Sequence, residues 1–236
     1  MVSYRKAVRD MRAAWRELLV KIPQVGVVGT CSLIARRVKR ILSEVHVPQH
    51  ESHSFDLEYG TDTSGIVEVG ALDIPPDRLR HAVRYQSAIV DVFITLLDQL
   101  PINAADFIFI DIGSGKGRAL LLASRLPFQE IIGVEISPSL HAVACQNIRT
   151  YREDTQRCSR IRSVCQDATL FDIPNKNAVI YLFNPFDGEI LSVVLQNLET
   201  SLSRFPRTVY ILYLKSLYRG VLDPSRYLRI FKESDR

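Results

Sequence analysis

Apolar positions follow two rhythms along this chain. Tyr4, Val8, Met11, Trp15, Leu18 and Leu19 recur at steps of three and four with arginines opposite, which predicts an amphipathic helix over residues 1–20, stopped by Pro23 and Gly26. A second helix is predicted over 32–44. Residues 48–76 read as polar and turn-rich, with Gly60, Gly65, Gly70 and Pro75-Pro76. From residue 77 the pattern becomes helices interleaved with short, continuously apolar runs. Helices are predicted over 78–100, 117–126, 137–151 and 188–202, the third capped by Ser137 with Pro138 at its first position. Strands are predicted over 107–110, 131–134, 161–165, 178–183 and 209–214, with 227–232 the only further candidate. Strands apolar on both faces, alternating with helices, predict a three-layer α/β fold with a doubly wound, mostly parallel sheet and an N-terminal helical arm. The chain divides into the arm (1–47), the turn-rich segment (48–76) and the body (77–236). In such sheets ligands bind at the carboxyl ends of the strands, near the switch in strand order.

Composition narrows this picture. With 47% apolar and 24% charged residues over 236 positions, the chain can bury a core, which excludes general disorder. No apolar run reaches the roughly 18 residues of an ordinary membrane helix. The net charge of +4 is uneven: residues 1–43 hold ten bases against Asp10 and Glu17, whereas the remainder is mildly acidic. An acidic body argues against a nucleic-acid-binding core. The bland reading of the basic arm is a helix pair whose apolar stripe docks on the body. Contact with an anionic membrane surface, RNA or a protein partner are its alternatives. Cys31, Cys145, Cys158 and Cys165 form no Cys-x-x-Cys pair, so reduced thiols and a cytoplasmic location are expected, with peripheral membrane contact open for the arm. Asp10 and Glu17 interrupt what would be a poor signal peptide.

The chemistry gathers at the predicted strand ends. The first strand runs into Asp111-Ile112-Gly113-Ser114-Gly115-Lys116-Gly117, whose alternate glycines let the backbone turn sharply and approach a ligand. A phosphate P-loop would need glycine where Ile110 stands and Ser or Thr where Gly117 stands; a dinucleotide fingerprint would need its third glycine at Arg118. Both readings are weakened. The second strand ends in Glu135, which can accept from both hydroxyls of a ribose. The third ends in Asp167-Ala168, where Asp167 can accept from an exocyclic adenine amine, and the fourth in Asn184-Pro185-Phe186. Each feature alone is weak, since a strand-end acid is commonly a helix cap. Four in order point to an adenosine-type ligand.

This constellation resembles the class I S-adenosylmethionine-dependent methyltransferases, across about residues 56–213. The sharpest piece is Phe109-Ile110-Asp111-Ile112-Gly113-Ser114-Gly115-Lys116-Gly117-Arg118 with Gly133-Val134-Glu135. Tyr181 to Phe186, with Glu58-Tyr59-Gly60-Thr61-Asp62-Thr63-Ser64-Gly65 and Arg84-Tyr85-Gln86, resembles mostly uncharacterised bacterial members. A weaker likeness is to the non-SET histone-lysine methyltransferases, which does not license a histone substrate. The resemblance implies a Rossmann-like methyltransferase fold and S-adenosyl-L-methionine as cofactor. It implies a glycine turn (Gly113, Ser114, Gly115, Gly117) under the methionine part, Asp111 toward its ammonium, Glu135 on the ribose and Asp167-Ala168 at the adenine. Tyr59, Thr63 and Tyr85 are expected to close over the methionine end, 48–76 being the cofactor-covering segment.

Asn184-Pro185-Phe186 resembles the Asn-Pro-Pro-aromatic motif of amino-methyltransferases, its aromatic one place early, and makes nitrogen the expected acceptor atom, on a protein or small molecule. No metal is expected. His50 and His53 read as a solvated loop, and His141 with Cys145 as a packed cysteine beside a surface histidine. A nicotinamide-dependent oxidoreductase on a similar fold and a non-catalytic adenosine-binding module are the rival functions. The usual fold ends in an antiparallel hairpin, which the 22 residues after Leu214 leave in doubt.

Overall fold

Alternation of strand and helix builds the body. The computed structural model describes residues 31–34 and 49–232. In chain order these form strand β1 (Cys31–Ile34), helix α1 (Gln49–Tyr59), the small strands β2 (Ile66–Val67) and β3 (Tyr85–Gln86), and short helix α2 (Pro76–Leu79) between those two. Helix α3 (Val90–Asp98) follows, then β4 (Ile108–Ile112), α4 (Arg118–Ala123), β5 (Ile131–Glu135), α5 (Pro138–Thr150) and β6 (Ile161–Cys165). Strand β7 (Ala178–Phe183), helix α6 (Gly188–Arg204), β8 (Val209–Leu214) and β9 (Leu228–Lys232) complete the set.

The main sheet has seven strands in the order β6-β5-β4-β7-β8-β1-β9, every pairing parallel, while β2 and β3 form a separate antiparallel pair. Strand side chains alternate between two buried layers. Phe109, Val179, Tyr181 and Leu212 pack against α3 and α4, whereas Ile108, Ile110, Ile180 and Ile211 pack against the apolar stripe of α6. A sheet buried on both faces explains why its strands read as unbroken apolar runs. The order reverses between β4 and β7, since β5 lies on one side of β4 and β7 on the other; that crevice is where such folds bind ligands.

Four expectations change. The turn-rich segment contains α1, whose polar sequence carries almost no amphipathic signal. The single helix expected over 78–100 divides into α2 and α3, because residues between them are drawn aside: Tyr85 and Gln86 pair with Val67 and Ile66, and Ala82 bridges Phe186. The helix expected from Ser32 begins instead as β1, inserted between β8 and β9. A short apolar run reads equally as strand or helix until its partners, distant in sequence, are known. The far edge is therefore parallel, built from both ends of the described chain, and the further candidate at 227–232 forms a strand over Leu228–Lys232. The helix predicted over 1–20 lies outside the described residues. No helix among the described residues is long and apolar enough to cross a membrane.

Candidate functional site

The carboxyl ends of β4, β5 and β7 open into a cavity of about 1050 Å³, counting its part open to solvent. The glycine turn forms its base. Gly113, with φ +80°, lies so close to Pro185 that a Cβ would stand 2.3 Å from the proline Cβ; Gly115, with φ +53°, would place a Cβ 2.2 Å from Cε2 of Tyr85. Both positions demand glycine by conformation and by space. The turn thus carries one wall through Pro185 and the other through the Tyr85 ring.

Glu135, at the end of β5, is 6% exposed. Its two carboxylate oxygens accept from the backbone N–H groups of Gly115 (2.7 Å) and Ser137 (2.9 Å). Burial pushes its pKa up, and those backbone donors pull against that rise. Asp111 contrasts with it. Its carboxyl is 3% exposed and, among the described residues, makes no hydrogen bond or ion pair. Burial first, then the neighbouring Glu135 charge, drives its pKa well above the ordinary carboxylate range. Ser114 Oγ and the Tyr181 hydroxyl, both on residues that line this cavity, are buried without a hydrogen-bond partner.

Just beyond the end of β6, Asp167 accepts from Arg78 Nε (2.7 Å) and from the backbone N–H (2.8 Å) and hydroxyl (2.7 Å) of Thr169. Burial alone would raise its pKa, but the Thr169 donors and Arg78 outweigh it and hold the carboxyl low. On the fourth strand end Asn184 takes the left-handed conformation, φ +45°, and its Oδ1 accepts from the Tyr213 hydroxyl at 3.4 Å. Phe186 is buried beside it. The adjoining Asp187 caps α6 and meets His81 Nδ1 at 2.6 Å, zipping this turn to residues 81–82.

Eleven of the expected site residues therefore line one cavity: Asp111, Gly113, Ser114, Gly115, Glu135, Asp167, Ala168, Tyr85, Asn184, Pro185 and Phe186. Gly117, Tyr59 and Thr63 do not. Gly117 sits against Ala144 of α5. Tyr59 turns its ring toward Phe55 and Tyr151 and receives a hydrogen bond from Arg125 (3.3 Å), so it belongs to an aromatic cluster rather than to the cavity. Thr63 is fully buried, and its carbonyl accepts from the Tyr85 hydroxyl at 2.6 Å, which makes it a support for the cavity wall. His141 Nδ1 bonds Ser163 Oγ at 2.8 Å, with Cys145 Sγ 3.6 Å from His141 Nε2.

That wall depends on residues the sequence reading overlooked. Asp56 gathers the loop after α1: its Oδ1 accepts from the Thr61 and Thr63 hydroxyls (2.8 and 2.6 Å) and the Thr63 N–H (2.9 Å), its Oδ2 from the Ser64 N–H (2.7 Å) and hydroxyl. Arg118, 3% exposed, donates to Thr63 Oγ1 (2.6 Å) and Ser87 Oγ (3.0 Å) and lies 3.6 Å from Asp56. Asn147 of α5 donates to the carbonyls of Asp62 and Lys116 and accepts from the Asp62 N–H, each at 2.8 Å. Arg118 did leave a trace in the sequence. A cation at the start of an otherwise apolar helix opposes the helix dipole and needs a partner elsewhere.

The chain matches no family model and no curated protein. Among solved structures it is similar to the StiE O-MT (19% identity, 47% of this chain and 39% of that one, TM-score 0.38). It is also similar to an RNA methyltransferase from Salinibacter ruber in complex with S-adenosyl-L-homocysteine (21%, 48% and 69%, TM-score 0.38). A third is a precorrin-6y C5,15-methyltransferase from Geobacter metallireducens GS-15 (16%, 60% and 66%, TM-score 0.38). The chain spans about two fifths of the length of the first. The overlaps are partial and the scores low, so the chemistry rests on the site's own residues.

Proposed function

We propose that this protein is an S-adenosylmethionine-dependent methyltransferase whose acceptor atom is a nitrogen of a protein or small molecule. The observation that carries the reading is Asp111: a buried carboxyl without a partner among the described residues, at the switch point of a doubly wound sheet, beside a turn that only glycine can make. Such a group calls for a cationic ligand. The Gly115 N–H that a phosphate would need is already given to Glu135, and two acids line the cavity there. That donor set fits a ligand with an ammonium and no phosphate, and it disfavours a dinucleotide.

In this reading Asp111 holds the ammonium of the methionine part. Glu135 keeps its backbone bonds and offers its remaining lone pairs to the ribose hydroxyls. Asp167, fixed by Arg78 and Thr169, faces the adenine amine, with Ala168 beside it. S-Adenosylmethionine, when bound, supplies a methyl group activated by a sulfonium, so the protein needs no nucleophile of its own. Its task is alignment, which can lower a barrier by up to ~7–11 kcal/mol. Asn184 Oδ1 accepts from an acceptor N–H, and a backbone carbonyl near Pro185 can take a second, leaving the nitrogen lone pair free. Phe186 flanks the acceptor.

Calorimetric titration of the full chain with S-adenosylmethionine, S-adenosylhomocysteine and NAD tests this, with Glu135→Ala as control. Micromolar binding of the sulfur nucleosides, weakened in the variant, is expected. Binding of NAD alone overturns the reading.

A further inference from the structure

Tyr181 is the cross-strand neighbour of Asp111 on β7, so the two side chains leave the sheet on the same face. The residue is 1% exposed, its ring fixed edge-on against Phe93 at 5.0 Å and stacked with Phe109 at 6.4 Å. Its hydroxyl has no hydrogen-bond partner among the described residues. Phenylalanine would fill the same space without stranding a buried donor, and such a donor is destabilising. The neighbouring Asp111 carboxyl is also without a partner among the described residues. A stranded hydroxyl and a neighbouring carboxyl that has no hydrogen bond among the described residues become satisfied together once the carboxyl is ionised and paired.

We propose that Tyr181 is a positioning residue for Asp111: when a ligand's ammonium group enters, the Asp111 carboxylate takes that cation and accepts a hydrogen bond from the Tyr181 hydroxyl, which fixes the carboxylate and selects ligands bearing an amino-acid head group. The proposal rests on the methyltransferase reading. Asp111 interacts electrostatically with Glu135 from β5, Tyr181 from β7 and Tyr85 from β3. Burial and the Asp111 charge push the Tyr181 phenol up, so it remains a donor throughout the neutral range.

The test compares wild type with Tyr181→Phe on two probes: S-adenosylhomocysteine, and 5′-methylthioadenosine, which lacks the head group. The variant should bind S-adenosylhomocysteine about tenfold more weakly, the size of one hydrogen bond to a charged group, and methylthioadenosine within about twofold of wild type. Its ligand-free Tm should be unchanged or higher, because a stranded hydroxyl is removed. In an Asp111→Asn background the same change should have no effect on S-adenosylhomocysteine. Equal weakening of both probes, unchanged S-adenosylhomocysteine affinity, or a clear fall in ligand-free Tm overturns the role of Tyr181 while leaving the cofactor reading standing. Failure of wild type to bind either probe overturns the cofactor reading and this role with it.

Discussion

The two ends of the cavity treat their carboxylates in opposite ways. At the end of β5 and just beyond that of β6, Glu135 and Asp167 are held by protein donors: Gly115 and Ser137 for one, Arg78 and Thr169 for the other. On β4, Asp111 has no such partner among the described residues and lies beside an unbonded tyrosine hydroxyl. The satisfied acids hold the scaffold whether or not a ligand is present. In the role proposed for Tyr181, its pair with Asp111 is left for a ligand to complete. A buried polar group that the protein leaves unpaired is thus a better guide to bound chemistry than one that it pairs.

The contrast can be broken most severely in the wall behind it. Arg118→Met removes one partner of a buried charge pair and leaves Asp56 with only its Thr61, Thr63 and Ser64 donors, a change that costs about 3–5 kcal/mol in comparable sites. Thermal unfolding should register this as a Tm lowered by roughly 6–20 °C for a chain of this size. Glu135→Gln is the next largest. It should leave one backbone N–H of Gly115 or Ser137 poorly met and weaken S-adenosylhomocysteine roughly 10- to 100-fold, as expected for a hydrogen bond to a charged group; an unchanged titration would remove Glu135 from the site.

Acidity sharpens the comparison by sign. Asp56 and Asp167 lie below the ordinary carboxylate range. Burial opposes this in both, but the Ser64, Thr63 and Thr61 donors outweigh it at Asp56, and Thr169 and Arg78 do so at Asp167. The folded chain therefore binds fewer protons at these sites than the unfolded one, and their contribution is lost as pH falls through their folded values. Asp111 lies well above that range, so the folded chain binds more protons, and stability falls as pH rises through its folded value. A Tm-against-pH series should show both limbs. Asp111→Asn should shrink the upper one to the part that Glu135, also raised by burial, contributes, and S-adenosylhomocysteine should flatten the Asp111 part by pairing the ionised carboxylate.

Asn184→Gly keeps a residue suited to φ +45° while deleting the amide. If the amide serves the acceptor as proposed, this should leave cofactor affinity within about threefold and reduce methyl transfer roughly tenfold or more, as loss of one hydrogen bond to the reacting group would. Transfer of labelled methyl to the acceptor found by screening is the measurement, and equal turnover would end the acceptor role. The smallest effect belongs to Tyr85→Phe, which loses one hydrogen bond to the Thr63 carbonyl, worth about 1 kcal/mol, or a Tm lower by roughly 2–4 °C.

Much of the site was legible because strand ends are marked locally. Glu135, Asp167 and Asn184 each follow an apolar run and precede a turn or helix, and the parallel sheet brings such ends together without further information. Tyr59 and Thr63 could not be placed the same way. Their loop is gathered by Asp56 and Arg118, 62 positions apart in the chain and with no shared motif. The helix expected over 78–100 failed for a related reason: Tyr85 and Gln86 pair across to β2, and such pairing leaves no period in the sequence.

The sequence by itself determined the layers, the mostly parallel sheet implied by alternation, the glycine turn and the row of strand-end acids. These follow from periodicity and backbone conformation, which are properties of neighbouring residues. Only the tertiary structure decided which acids are satisfied, that β1 enters the sheet between β8 and β9, and that Tyr181 stands unbonded beside Asp111. Partnership, burial and charge interaction depend on distances through space, and the fold sets those distances between residues far apart in the chain.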